Sequence, residues 1–164
     1  TGIQAFLEND QVNMLCVPGI TIPEVIAALV SHCENLGSRF AILDMPKEEA
    51  GTKELIEYRE MIDSTYGAMY HPWVQIFDRS LQKPEYFPPS GAVMGIYARS
   101  DLQRGVHKAP ANETVMCTGL NILFSRAEQD ILNPAGINLI RRIPGQGIRV
   151  WGQGLQAATA VLNM

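Results

Sequence analysis

Two aspartates sit where an α/β protein keeps its chemistry. Asp44 closes "RFAILDMP" (39–46) and Asp78 closes "AMYHPWVQIFD" (68–78), each at the C-terminal end of an apolar run that reads as a strand. Open α/β sheets bind ligands at that end, so either carboxylate fits a metal-assisted or hydrolytic site. The competing reading is structural, because aspartate at a strand end also hydrogen-bonds the backbone of the following turn. The turn role is favoured, since no third acid or histidine falls at a matching strand end. His32, His71 and His107 are far apart and make no HxxxH or HxH ligand pair, so they read as core or surface histidines. His32 adjoins Cys33 inside a helical stretch, where successive side chains diverge by about 100° and cannot act as a Cys/His pair. Ser90-Gly91 lacks the GxSxG frame of a nucleophile elbow. The loop "PGITIP" carries one glycine where a phosphate loop needs several, and "GQGIR" (145–149) precedes a strand instead of a helix.

A chain of 164 residues is the size of one domain. Its net charge of −4 argues against nucleic acid, which requires clustered positive charge; Arg141 and Arg142 form an isolated pair. Cys16, Cys33 and Cys117 are too widely spaced for a disulfide framework or a zinc pattern, and read as buried, reduced thiols of a protein folded in the cytosol. No apolar run approaches the roughly 20 residues that span a bilayer, and no basic-then-apolar leader is present. The abrupt start at Thr1 and the apolar close "ATAVLNM" are read as cut ends.

The elements that must hold these residues follow a βα rhythm. "VNMLCVPG" (12–19) is a buried strand, and Thr21, Pro23 and Glu24 open a helix that Gly37 stops. Residues 39–46 form a second strand, "TKELIEYREMIDSTYG" (52–67) a helix closed by Gly67, and 68–78 a third strand with Pro72 at its start or on an unpaired edge. A polar loop with Pro84, Pro88 and Pro89 leads to a helix over 90–104, begun by Ser90 and stopped by Gly105. "ETVMCTGL" (113–120) is a short strand, Ser125 with Glu128 a capping box, and "INLIRRIPGQGIRVWG" (137–152) a hairpin. The expected class is therefore α/β, a mixed, largely parallel sheet flanked by helices with a C-terminal β-hairpin.

Within "PPSGAVMGIYARSDLQRGVHKAPAN" (88–112), Val93, Ile96, Tyr97 and Leu102 suit the core, while Gly91, Ala92, Gly95 and Ala98 give a smooth side. Glycine costs about 1 kcal/mol against alanine in a helix, so Gly95 predicts a close backbone neighbour. Arg99, Asp101, Arg104, His107 and Lys108 then mix charges, and Asn112 is available to hold a turn.

The order "PPSGAVMGIYARSD", "RGVHKAPANE", "LNPAGINLIR" and "GQGIRVWG" resembles the contractile tail sheath proteins of bacteriophages and related phage-tail-like particles. "LDMP" and "HPWVQIFD" extend the resemblance upstream. It implies a structural subunit without catalytic residues or cofactor, polymerised as stacked six-fold rings around a tail tube and contracting to drive that tube through a cell envelope. The implied partners are other sheath copies, the tube protein, the baseplate and the tail terminator, with neither nucleic-acid contact nor membrane insertion; the implied place is the virion tail, assembled in the bacterial host cytoplasm. Residues 1–164 are expected to be one α/β domain, the central part of a sheath protein without its N-terminal and C-terminal portions. Where the family commonly continues Ala-Arg-Thr-Leu after "RVWG", this chain has Gln153-Gly154-Leu155-Gln156. Arg99, Asp101, Arg104, His107, Lys108 and Asn112 are the expected subunit interface. The alternative from another class is a small α/β hydrolase or nucleotide-binding enzyme using Asp44 or Asp78.

Overall fold

The computed structural model describes residues 2–7, 13–104 and 113–151, and only the backbone of residues 4, 6 and 100–104. After a 3-10 turn at Gly2–Phe6, the first strand, β1, is just Met14–Leu15. Helix α1 (Pro23–Leu36) has Pro23 in its first turn and ends at Gly37, whose φ of 67° is the left-handed conformation glycine adopts without a Cβ clash. Thr21 is not its cap. Ile22 holds that position without a side-chain bond, and the Thr21 carbonyl accepts the Tyr58 hydroxyl at 2.8 Å. Strand β2 (Phe40–Asp44) is buried throughout, as parallel strands covered on both faces are.

Helix α2 (Thr52–Glu60) stops well before Gly67. The Asp63-Ser64-Thr65 run turns the chain instead, with the Tyr66 N–H donating to Ser64 Oγ at 3.0 Å, and Gly67 starts the next strand rather than closing the helix. The single strand expected over 68–78 is two: β3 (Gly67–His71) and β4 (Val74–Asp78), in different sheets and separated at the cis His71-Pro72 bond. The expected polar loop contains β5 (Lys83–Phe87), antiparallel to β4. Pro84 is tolerated because an edge strand has outward positions that need no N–H.

Helix α3 (Pro89–Arg104) follows, burying Val93, Ile96 and Tyr97. The close approach expected at Gly95 is absent: a Cβ built there meets no described atom within 4 Å, and Gly91, Gly95 and Ala98 lie exposed. Of the strand expected over 113–120, only β6 (Gly119–Leu120) and an isolated bridge from Thr114 to Arg149 form. Helix α4 (Arg126–Leu132) opens with the expected capping box: Glu128 N–H donates to Ser125 Oγ at 3.2 Å and Ser125 N–H to Glu128 Oε1 at 3.0 Å. β7 (Ile137–Ile143) and β8 (Gly147–Trp151) make the expected hairpin.

The main sheet runs β1-β2-β3-β7-β8, parallel as far as β7 and antiparallel at β8; β5-β4-β6 is a second, antiparallel sheet. Alternation sorts the core. Ala41, Leu43, Met69, Ile137 and Leu139 pack under α1, α2 and α4, while Phe40, Ile42, Ala68, Tyr70 and Ile140 face α3. The parallel strand order never reverses, so the sheet lacks the switch point at which doubly wound folds open a ligand crevice.

Candidate assembly surface

Alternation turns Asp44 toward α3, and the carboxylate is consumed there. Its Oδ1 accepts the Ser90 N–H at 2.8 Å; its Oδ2 accepts the Ser90 hydroxyl at 2.7 Å and the Gly19 N–H at 3.1 Å. Burial pushes its pKa above the ordinary 3.8, opposed by these three donors. Asp44 thus caps a helix 46 residues away instead of its own turn. Asp78 does hold its own turn, accepting from the Ser80 and Leu81 N–H groups at 2.8 and 3.2 Å. The two carboxylates belong to different sheets and do not converge.

One ring nitrogen of each described histidine is similarly occupied, while Nδ1 of both His32 and His71 is buried without a partner among the described residues. Arginine can only donate, so the 2.7 Å contact from Arg39 makes His32 Nε2 an acceptor. His71 Nε2 donates to the Glu49 carbonyl at 2.7 Å and the ring packs 5.7 Å from Phe124. Burial lowers both pKa values, and the Arg39 charge lowers that of His32 further. The three cysteines are free thiols; Cys33 is buried, and Cys16 and Cys117 are half-buried. Burial raises all three pKa values, Cys33 to about 11, so none is held as a thiolate. No group of three His, Cys, Asp or Glu among the described residues could hold a metal.

Of the expected interface residues, Arg99 is half-buried and donates to the Thr114 carbonyl at 3.2 Å, tying the end of α3 to the segment beside β8. The side chains of Asp101 and Arg104, and His107, Lys108 and Asn112 entirely, lie outside the described residues.

Sequence reasoning missed a second surface. The β4–β5 hairpin presents Ile76, Phe77, Leu81, Tyr86 and Phe87 to solvent, and Met116 nearby is 78% exposed. A groove of about 660 Å³ runs between Ile76-Phe77, residues 114–118 and the start of β8. The hairpin is anchored at its base. Trp73 Nε1 donates to the Met45 carbonyl at 2.9 Å, its backbone N–H to Asn121 Oδ1 at 3.1 Å, and Asn121 Nδ2 to the Lys47 carbonyl at 2.7 Å. Lys47 lies 5.8 Å from both the Trp73 and Tyr86 rings. The available signal was the apolar content of "VQIFD" and "EYF" around a short polar turn, which Pro84 masked.

Both strand-end carboxylates are thus taken up by hydrogen bonds within the chain, and the large apolar residues of the β4–β5 hairpin face outward. Residues 1–153 match the model of the phage tail sheath protein central domain, and the chain belongs to that family. It is 28% identical over 168 residues to the tail sheath protein of Escherichia phage P2, covering 93% of this chain and 40% of that one. With the tail sheath protein of Salmonella phage ViI it shares 26% identity over 147 residues, 74% of this chain and 23% of the relative. Among solved structures, it resembles the sheath complex of an extracellular contractile injection system in its contracted state, with a TM-score of 0.75, 30% identity, and coverage of 90% of this chain and 40% of that one. The contracted helical sheath of the anti-feeding prophage gives a TM-score of 0.68 at 25% identity, covering 91% and 44%. The chain therefore spans less than half the length of these relatives. Family and neighbours are structural sheath proteins of phage tails and related particles, so the chain is a sheath component and not an enzyme.

Proposed function

We propose that the chain is the central α/β domain of a longer sheath subunit that polymerises as stacked hexameric rings around a tail tube and contracts to drive the tube through a target envelope. The observation carrying this reading is the overlay of 90% of the chain on a sheath structure in its contracted state. A six-fold symmetrised baseplate of the anti-feeding prophage, similar with a TM-score of 0.74, supports the ring order. The partners are other sheath copies, the tube protein, the baseplate and the terminator, and assembly takes place in the host cytoplasm.

Contraction needs no nucleotide at the moment of action if the extended polymer is kinetically trapped above a contracted state with more subunit contact. Each subunit then moves as a stiff body while its surfaces exchange neighbours. Mixed charges suit that exchange, because exposed ion pairs are remade at small net cost. Arg99, Asp101, Arg104, His107, Lys108 and Asn112 supply one such surface. Electron microscopy of the full-length protein tests the class: tubes of uniform diameter support it, and dispersed monomers sink it. Reversing the charges at Arg99, Asp101, Arg104 and Lys108 tests the surface; tubes that still assemble and contract normally would rule it out.

A further inference from the structure

Arg141 and Arg149 stand directly opposite one another across the β7–β8 hairpin. Strand alternation puts Arg141 on the same side of the sheet as Leu139, the side covered by α4. Arg126, at the start of α4, Arg141, Arg142 and Trp151 line a cleft of about 360 Å³ whose one acid is Asp130, and the Arg142 guanidinium is taken up by the Thr118 carbonyl at 3.2 Å. Arg149 is drawn toward the Gln146 carbonyl, 3.0 Å away. Among the described residues neither Arg126 nor Arg141 is in an ion pair. Guanidinium forks bind carboxylates bidentately, and the exposed Trp151 ring adds an apolar wall for the carboxylate's stem.

The complementary surface is on the same chain. Residues 47–63 hold six acids against three bases, and Glu54, Glu57 and Glu60 are exposed on α2. Helix α2 packs against α4, and none of its residues lines the cleft, so its carboxylates are left for the cleft of another copy. A contact between two different patches of identical subunits is heterologous, the type that generates rings and helices. We propose that the α4–hairpin cleft binds the acidic face of α2 from a second copy of this chain, through Arg126 and Arg141. This rests on the sheath reading and adds to it a second subunit contact, distinct from the Arg99 surface.

The test uses the full-length protein and measures the fraction pelleted as polymer. Arg126→Glu with Arg141→Glu is expected to lower that fraction about tenfold or more with an unchanged melting temperature, and Arg126→Gln with Arg141→Gln to lower it less. Adding Glu57→Arg and Glu60→Arg to the reversed arginines is expected to restore it. Polymer unchanged by the arginine reversals overturns the proposal, and so does a loss that the compensating reversal fails to repair. If the unaltered chain forms no polymer, the sheath reading itself falls, whatever the arginine variants do.

Discussion

Leu139 and Phe77 are both large apolar strand residues, yet Leu139 is fully buried in the five-stranded sheet while Phe77, in the three-stranded one, is 49% exposed. The main sheet is covered by α1, α2 and α4 on one face and α3 on the other, so its strands are stabilised within the molecule. The β4–β5 hairpin keeps only Val74 buried and leaves its aromatic residues outward. One region is finished as a folding unit; the other has apolar area to spare for a neighbour.

The sharpest way to break this contrast is in the core. Leu139→Ala removes a side chain that cannot be replaced by solvent, and a loss of about 2–5 kcal/mol is expected in chemical denaturation. Asp44→Ala comes next, because it strands the buried Ser90 donors and the Gly19 N–H; a loss of about 2–3 kcal/mol is expected by the same measurement. A smaller effect comes from pH. His32 and His71 have pKa values below the ordinary 6.5, so the unfolded chain takes up protons first as pH falls. Their contribution is present above pH 6.5 and is lost as pH falls toward the folded values. The slope is at most about 1.4 kcal/mol per pH unit for each histidine. His32→Gln with His71→Gln should flatten the curve of melting temperature against pH; an unchanged curve would place the acid sensitivity elsewhere. Ser125→Ala should cost about 1 kcal/mol through loss of the cap. Smallest of all, Leu81→Ser on the exposed hairpin turn should stay within about 0.5 kcal/mol. A large loss there would mean the hairpin belongs to the folding unit after all.

The same contrast governed what could be read from the sequence. Strands buried on both faces, such as "FAILD", announce themselves as apolar runs, and the helix stop at Gly37, the Ser125–Glu128 box and the Pro-Gly-Gln-Gly hairpin are local signals with local causes. The second sheet is set by tertiary context. In "AMYHPWVQIFD" Pro72 marks a break in pairing but not that the chain leaves one sheet for another there, and Pro84 reads as loop until an edge position is known to accommodate it. Asp44 was legible as a strand-end carboxylate, but its partners at Gly19 and Ser90 depend on a contact across 25 and 46 residues. Gly95 misled because a helical glycine can be exposed as readily as packed. The Arg126–Arg141 cleft was invisible for a similar reason: the chain separates its arginines by 15 residues, and only the packing of α4 on β7 places them beside one cleft.

Asp44 also has a mechanical consequence, because it joins three separate segments. Apolar layers held by packing alone can shear, since one greasy contact is exchanged for another at little resistance. Here a single carboxylate rivets the end of β2 to the turn after β1 and to the first turn of α3, with directional bonds that do not slide. A push delivered along α3 is therefore expected to pass into β2 through residue 44, so that helix and sheet turn together.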